Sequence, residues 1–226
     1  MIQLGGMLTI FSILGRAPGA GNSLVIFFMT GIMPLLVVRS ALARGASAIA
    51  SNRSLMHYPQ VRGFEVITAR VLLDLLINLT VTLIVMAYML AFQGLAITEW
   101  IDRPLSLLGA LAALSLLSYG VAFLSAQIGR MFDQWIDLMS GLARLLFFTS
   151  GIWFTLDTLP LAIRKYAAMN PLAQIIEWIR DAAIPGFESG HLNPVYPIQF
   201  AIVCLALGLF LEWFYRLTGL DLERKR

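Results

Sequence analysis

The sequence predicts an all-α, polytopic membrane protein, and three observations carry that reading. Of its 226 residues, 59% are hydrophobic and only 13% are charged, where a soluble domain is about a quarter charged. The apolar residues gather in runs of roughly twenty, the length a helix needs to cross a bilayer. Those runs do not break into the short alternating segments of a spanning β-barrel. One membrane domain over residues 1–226 leaves no room for a second, soluble one.

Residues 1–14 are apolar, but fourteen helical residues cover about 21 Å of a core about 30 Å thick. They are therefore expected to form only the outer part of a truncated first span. No basic region precedes them and no small-residue cleavage site follows, which argues against a signal peptide. After a Gly/Pro turn, the second span is expected at 23–43, kinked at Gly31 and Pro34. Ala41, Gly45 and Ala48 are small enough for close helix packing. A basic loop at 47–63 carries Arg53, His57 and Arg62. Further spans are expected at 64–92, 104–128 and 135–156, with turns at 93–103 and 129–134, and a last one at 195–215. This makes five full spans plus the partial first. Cys204 stands alone in an apolar run, as a small core or lipid-facing residue. No internal repeat is present, so any pseudo-symmetry requires a second chain.

Basic residues set the expected orientation, because they concentrate on the cytoplasmic side. One side holds Arg39, Arg44, Arg53, Arg62, Arg70, Arg130, Arg216, Arg224, Lys225 and Arg226. The other holds Arg16, Arg103, Arg164, Lys165 and Arg180. The 47–63 loop, the 129–134 turn and the C-terminus are thus expected in the cytoplasm, and the stretch 157–197 outside.

That outer stretch is too polar to cross a bilayer and too apolar for a linker. Asn170 suits a helix cap and Pro171 a first helical position, while Pro185-Gly186 stops the helix. Leu172, Ile175, Ile176, Ile179 and Ala183 share one face, leaving Glu177, Arg180 and Asp181 on the other. Periodicity allows two readings: an amphipathic helix lying in the membrane interface, or a re-entrant helix that closes a path.

Charges within spans usually have partners. Arg70, Asp74, Asn78 and Thr82 recur every four residues and form one polar stripe, in which Arg70 and Asp74 can pair. Asp137, Gly141, Arg144, Phe148 and Gly151 share a face of the fifth span. Arg144 and Asp74 have similar expected depths and are expected to meet across two helices. They either brace the bundle or line a polar path. Trp100, Trp135, Trp153 and Trp178 fall near span ends as interfacial anchors, with sugar stacking by Trp153, Tyr166 or Trp178 as the alternative.

Several chemistries have no support. The only lysines are Lys165 and Lys225, and no phosphate loop surrounds either. His57 and His191 show no metal-ligand spacing. A serine-nucleophile elbow is missing, and no soluble basic face offers itself to nucleic acid.

Taken together, these pieces resemble the membrane subunit of ABC-2-type exporters, in particular the permeases of capsular-polysaccharide export with their O-antigen and teichoic-acid relatives. The matching residues are Gly31-Ile32-Met33-Pro34, Asn52 to Pro59 with Val61, and Ile67-Thr68-Ala69-Arg70 with Leu72-Leu73. They continue at Gly129, Phe132 and Arg144, and at Asn170-Pro171-Leu172 with Glu177, Arg180, Pro185 and Gly186. The family begins with an amphipathic helix and a complete first span, both largely missing here.

The resemblance implies a type V exporter-like fold with a re-entrant gate (Asn170, Pro171, Glu177, Arg180, Gly186) before the last span. It implies a homodimer in the bacterial inner membrane with the polysaccharide path between the chains, and periplasmic or outer-membrane export components beyond. ATP would be bound by a separate nucleotide-binding subunit and by no cofactor site of this chain. That subunit would grip a coupling loop formed by Leu55, Met56, His57, Tyr58, Pro59, Gln60, Val61 and Arg62, with 129–134 as a second contact. A lipid or drug exporter of the same family, an ion-coupled carrier and an envelope-synthesis enzyme are the competing classes.

Overall fold

The computed structural model describes residues 24–52, 54, 58, 61, 63–93, 101–132 and 134–218, so the partial first span lies outside the described residues. Seven α-helices form here: α1 (Leu24–Ser51), α2 (Gly63–Gln93), α3 (Pro104–Met131), α4 (Trp135–Thr149), α5 (Leu161–Ala168), α6 (Pro171–Ala183) and α7 (Val195–Thr218). A 3₁₀ turn at Leu156–Thr158 precedes α5. Among the described residues, four helices are long and apolar enough to cross a membrane, over Ile26–Ser51, Gly63–Ile84, Pro104–Met131 and Val195–Thr218.

α1 and α3 form the centre. α1 packs against α2, α3, α4 and α6, and α3 packs against α1, α2, α6 and α7. The order of contacts fixes direction. A Cβ on Gly45 would meet Ala122 and one on Gly129 would meet Ala46, while Gly120 faces Ala201 and Gly208 faces Leu124. Residue numbers rise together, so α1, α3 and α7 run parallel, toward the end of the bundle that carries residues 52–62. The side-chain-free glycines let these backbones approach, which is how helices bind one another where burial of oil from water contributes little. Ala41 and Ala48 are buried in the same seam, as their size predicts. Cys204 is buried beside Gly120.

Three boundaries differ from expectation. α1 continues to Ser51 rather than stopping at Ala43, because alanine-rich 41–50 is good helix former that need not lie in lipid. It also runs through Pro34. α3 continues to Met131, so Gly129 is a packing residue inside a helix rather than part of a turn. α4 stops at Thr149 instead of Leu156. Its fifteen residues cover about 22 Å, less than the hydrocarbon core. Gly151 turns the chain there with φ 77, and the next carbonyls bond to α6.

Candidate functional site

α6 forms as the sequence predicts. The Asn170 side chain accepts from the Leu172 amide at 3.0 Å, Pro171 opens the helix, and Gly186 follows it with φ 76. The helix is buried among its neighbours on both faces. Leu172, Ile175, Ile176 and Ile179 join one core with Phe28, Ile32 and Leu35 of α1 and with Ala110, Ala113 and Leu117 of α3. The charged side is buried too: Glu177, Arg180 and Asp181 retain 1%, 0% and 9% of their exposure. A helix with a polar face reads as half-solvated only when its neighbours offer no polar partners, and here they do.

Arg180 makes most of those bonds. Its Nη1 donates to the carbonyls of Gly151 at 2.7 Å and Phe154 at 3.0 Å. Its Nη2 donates to Ile152 at 3.2 Å and Phe27 at 3.4 Å. The guanidinium lies 3.8 Å from the centroid of the Phe27 ring, a cation–π contact. Gly31 leaves it room: a Cβ there would sit 3.0 Å from Nη2. Burial pulls the guanidinium down to about 10, so it stays charged at neutral pH. Glu177 accepts from the Leu156 amide at 3.3 Å and the Ser189 hydroxyl at 3.1 Å, and burial pushes its carboxyl up. Asp181 accepts from Arg103 at 3.2 Å, tying α6 to the start of α3. One helix is thereby bonded to α1, α3, the chain leaving α4, and the turn before α7.

The polar stripe of α2 faces α1. Asp74 is buried and pairs with Arg44, while Asn78 donates to the Asp74 carbonyl at 2.7 Å and to Ser40 at 3.4 Å. Thr82 donates to Asn78 at 2.8 Å. Arg70 is half-buried with its Nε unbonded. The expected partners of Asp74 were Arg70 and Arg144. The observed one is Arg44, because the longer α1 carries that residue alongside α2. Arg144 is exposed on α4. Asp74→Asn is therefore expected to lower stability by ~1–3 kcal/mol. Arg144→Met is expected to leave it unchanged. Melting of both variants in detergent checks this.

A second ion network closes the 52–62 end. Glu212 of α7 accepts from Gln127 at 3.0 Å, Arg130 at 3.3 Å and Arg216 at 3.1 Å. Gly63, where α2 starts, lies beside the same carboxylate, with a Cβ 3.6 Å from it. Helix phase alone could not show three helices converging on Glu212. Of the loop residues, Tyr58 is exposed at 63% and Val61 is half-buried. Leu55, Met56, His57, Pro59, Gln60 and Arg62 lie outside the described residues, as does Trp100.

The aromatic candidates occupy three separate settings. Trp153 packs edge-on against Phe28 and Phe147. Trp178 donates to Ser106 at 2.9 Å and lies over Gly109. Tyr166 is 73% exposed on α5. Among the described residues, no three His, Cys, Asp or Glu gather to hold a metal ion.

A sequence profile described as ABC-2 type transporter matches residues 4–184, which takes in α1 to α6. The chain is 30% identical over 190 residues to the polysialic acid transport protein KpsM of Escherichia coli, covering 84% of this chain and 72% of that protein. It is 26% identical over 190 residues to the capsule polysaccharide export inner-membrane protein CtrC of Neisseria meningitidis serogroup B, covering 83% and 69%.

Proposed function

Because the chain belongs to the ABC-2 type transporter family, we propose that it is the permease subunit of an ATP-driven exporter carrying a surface polysaccharide, capsular or similar, across the bacterial inner membrane. The observation that carries this reading is the alignment of more than four-fifths of the chain with permeases named for capsule and polysialic acid transport.

ATP is bound and hydrolysed by a separate subunit on the cytoplasmic side, which is the 52–62 end and the side of the C-terminus. The loop from Leu55 to Arg62 is its docking site, with exposed Tyr58 as the anchor. A pull on this loop reaches Gly63 and the Glu212 network, and so moves α2, α3 and α7 together. Two copies form a homodimer with the polymer path between them. α4 serves as a short fifth span. α6 is the re-entrant gate at the outer end. Its support is that a buried, non-spanning helix is bonded by Arg180 to both α1 and the end of α4. Alternating access then couples closure at one end to movement at the other.

Co-expression with a candidate nucleotide-binding subunit tests the reading. The pair is expected to co-purify, and the permease to stimulate ATP hydrolysis in proteoliposomes. Tyr58→Ala is expected to reduce that stimulation about tenfold, as loss of a buried aromatic anchor does, with an unchanged thermal midpoint. An ATPase indifferent to the permease would refute the proposal.

A further inference from the structure

We propose that His191 is a pH-sensitive clasp, which holds residues 188–193 across α6 and lets go when its imidazole takes up a proton. The inference rests on the reading of α6 as the outer gate. Residues 188–193 run from beyond α6 to the start of α7 as a strap tied down by side chains. Ser189 donates its hydroxyl to Glu177 at 3.1 Å and its amide to Asp181 at 3.3 Å, both on α6. Gln174 of α6 donates to the His191 carbonyl at 3.4 Å and accepts from the Asn193 amide at 2.9 Å. The Asn193 side chain then accepts from the amides of Val195 and Tyr196 at 3.2 and 3.3 Å, capping α7.

Other ties lead away from α6, to the 3₁₀ turn and to α5. The Gly190 amide donates to Asp157 at 3.4 Å. The His191 ring lies between two charges: Nδ1 is 2.5 Å from the Asp157 carboxylate, and Nε2 is 3.1 Å from Nη1 of Arg164. A carboxylate offers no donor and a guanidinium no acceptor. The ring must therefore donate at Nδ1 and accept at Nε2, which only neutral imidazole with its proton on Nδ1 can do. A second proton, taken from water at Nε2, sets N–H against N–H between two cations. Arg164 cannot retreat. Its Nε and Nη2 donate to the Leu159 carbonyl at 3.2 and 2.8 Å, and Nη2 to that of Asp157 at 2.9 Å.

The imidazolium keeps its attraction to Asp157, but that pair is exposed to water, where an ion pair contributes little. The ring therefore swings off Arg164. Its own carbonyl hangs on Gln174, so the movement pulls on α6. Histidine ordinarily changes charge between about pH 5 and 8. The other charged groups around the strap have their own partners. Asp181 and Glu188 pair with Arg103 at 3.2 and 3.4 Å, and Arg180 lies on its four carbonyls. Lys165 is exposed on α5, and the Tyr196 hydroxyl donates to the Met169 carbonyl at 2.6 Å. Glu177 is the rival, because burial pushes its carboxyl up and it holds Ser189.

The test uses the full permease with its nucleotide-binding subunit in nanodiscs. A nitroxide on Glu188→Cys, which is 83% exposed at its side chain, reports strap mobility, with the buried Cys204 changed to alanine. Spectra are taken at about pH 7.5 and about pH 5.5, across the range in which histidine titrates. The mobile fraction is expected to rise about fivefold in acid, the worth of one hydrogen bond. His191→Gln should abolish the rise, since the amide still donates to Asp157 and accepts from Arg164 but takes up no proton. Arg164→Met should leave the strap mobile at both values, and Glu177→Gln should keep the rise. A still strap in the acidified parent overturns the proposal. So does an equal rise in His191→Gln, or a strap that stays still in Arg164→Met. A rise that persists in His191→Gln and vanishes in Glu177→Gln gives the switch to that carboxyl and also overturns it. ATPase stimulation is read in proteoliposomes with the nucleotide-binding subunit outside and the lumen alone acidified. Lumen acid is expected to raise it in the wild type and not in His191→Gln. If stimulation is present while the mobility effects fail, this inference falls alone; if stimulation is absent from the wild type, the export reading falls.

Discussion

Replacing Arg180 with methionine is expected to destabilise the protein by roughly 4 kcal/mol and to free α6 from the end of α4. The derivation starts from the four carbonyls, of Phe27, Gly151, Ile152 and Phe154, that share this guanidinium. Each buried carbonyl left without a donor costs about 1–3 kcal/mol, and water can reach only some of them. Methionine fills much of the volume, so the loss measures polar bonds rather than a cavity. Arg180→Lys should fall between, since one ammonium cannot reproduce a planar fork with donors on several nitrogens. Gly31→Ala should act in the same direction from the other side, because its Cβ would lie 3.0 Å from Nη2. Thermal melting in nanodiscs reads the stability, and maleimide labelling of a cysteine placed at Phe154 reads the detachment. A methionine variant that melts with the wild type and labels no faster would show that Arg180 is not what holds the segment.

The surroundings of Arg180 mark the limit of what a local sequence pattern encodes. The cap at Asn170, the Pro171 start and the Gly186 stop are local events, encoded by backbone chemistry over four or five residues, and all were legible. The apolar face of α6 was legible for the same reason. The burial of its polar face was not, because that depends on carbonyls supplied from residues 27 and 151–154, which are distant in sequence. Asp74 repeats the lesson. Its position on a stripe follows from 3.6-residue periodicity, but periodicity names a face and not the neighbour across it. The pairing with Arg44 required knowing that α1 outlasts its apolar run by two turns. Bilayer-length counting therefore locates spans well and helix ends poorly, since a helix does not stop where lipid does. The stop of α4 at Thr149 has the opposite cause, a positive-φ glycine inside what reads as a continuous apolar run.

Substitutions in the glycine seam should also have a large effect, and their pattern separates close packing from mere helix propensity. A Cβ on Gly129 would sit 2.4 Å from the Ala46 carbonyl oxygen, one on Gly120 2.5 Å from that of Ala201, and one on Gly45 2.6 Å from that of Ala122. These atoms are backbone of a neighbouring helix and cannot swing aside, so α1, α3 and α7 must separate to admit even a methyl group. Each alanine is then expected to cost about 2 kcal/mol or more despite alanine's better helix propensity, and Gly129→Leu should abolish folding. Gly141 supplies the control. A Cβ there meets nothing within 4 Å, so Gly141→Ala should leave the melt unchanged or raise it by about 0.5–1 kcal/mol. Melting of the four alanine variants in one detergent decides the point. If Gly129→Ala and Gly120→Ala gain stability as Gly141→Ala does, the three parallel helices are not held at glycine distance, and the contact order that aligns them would have to come from elsewhere. Because the Glu212 network sits at the far end of this same seam, a widened seam should also slacken the link from the 52–62 loop to α3 and α7. Gly129→Ala is therefore expected to lower ATPase stimulation at temperatures where the variant is still folded.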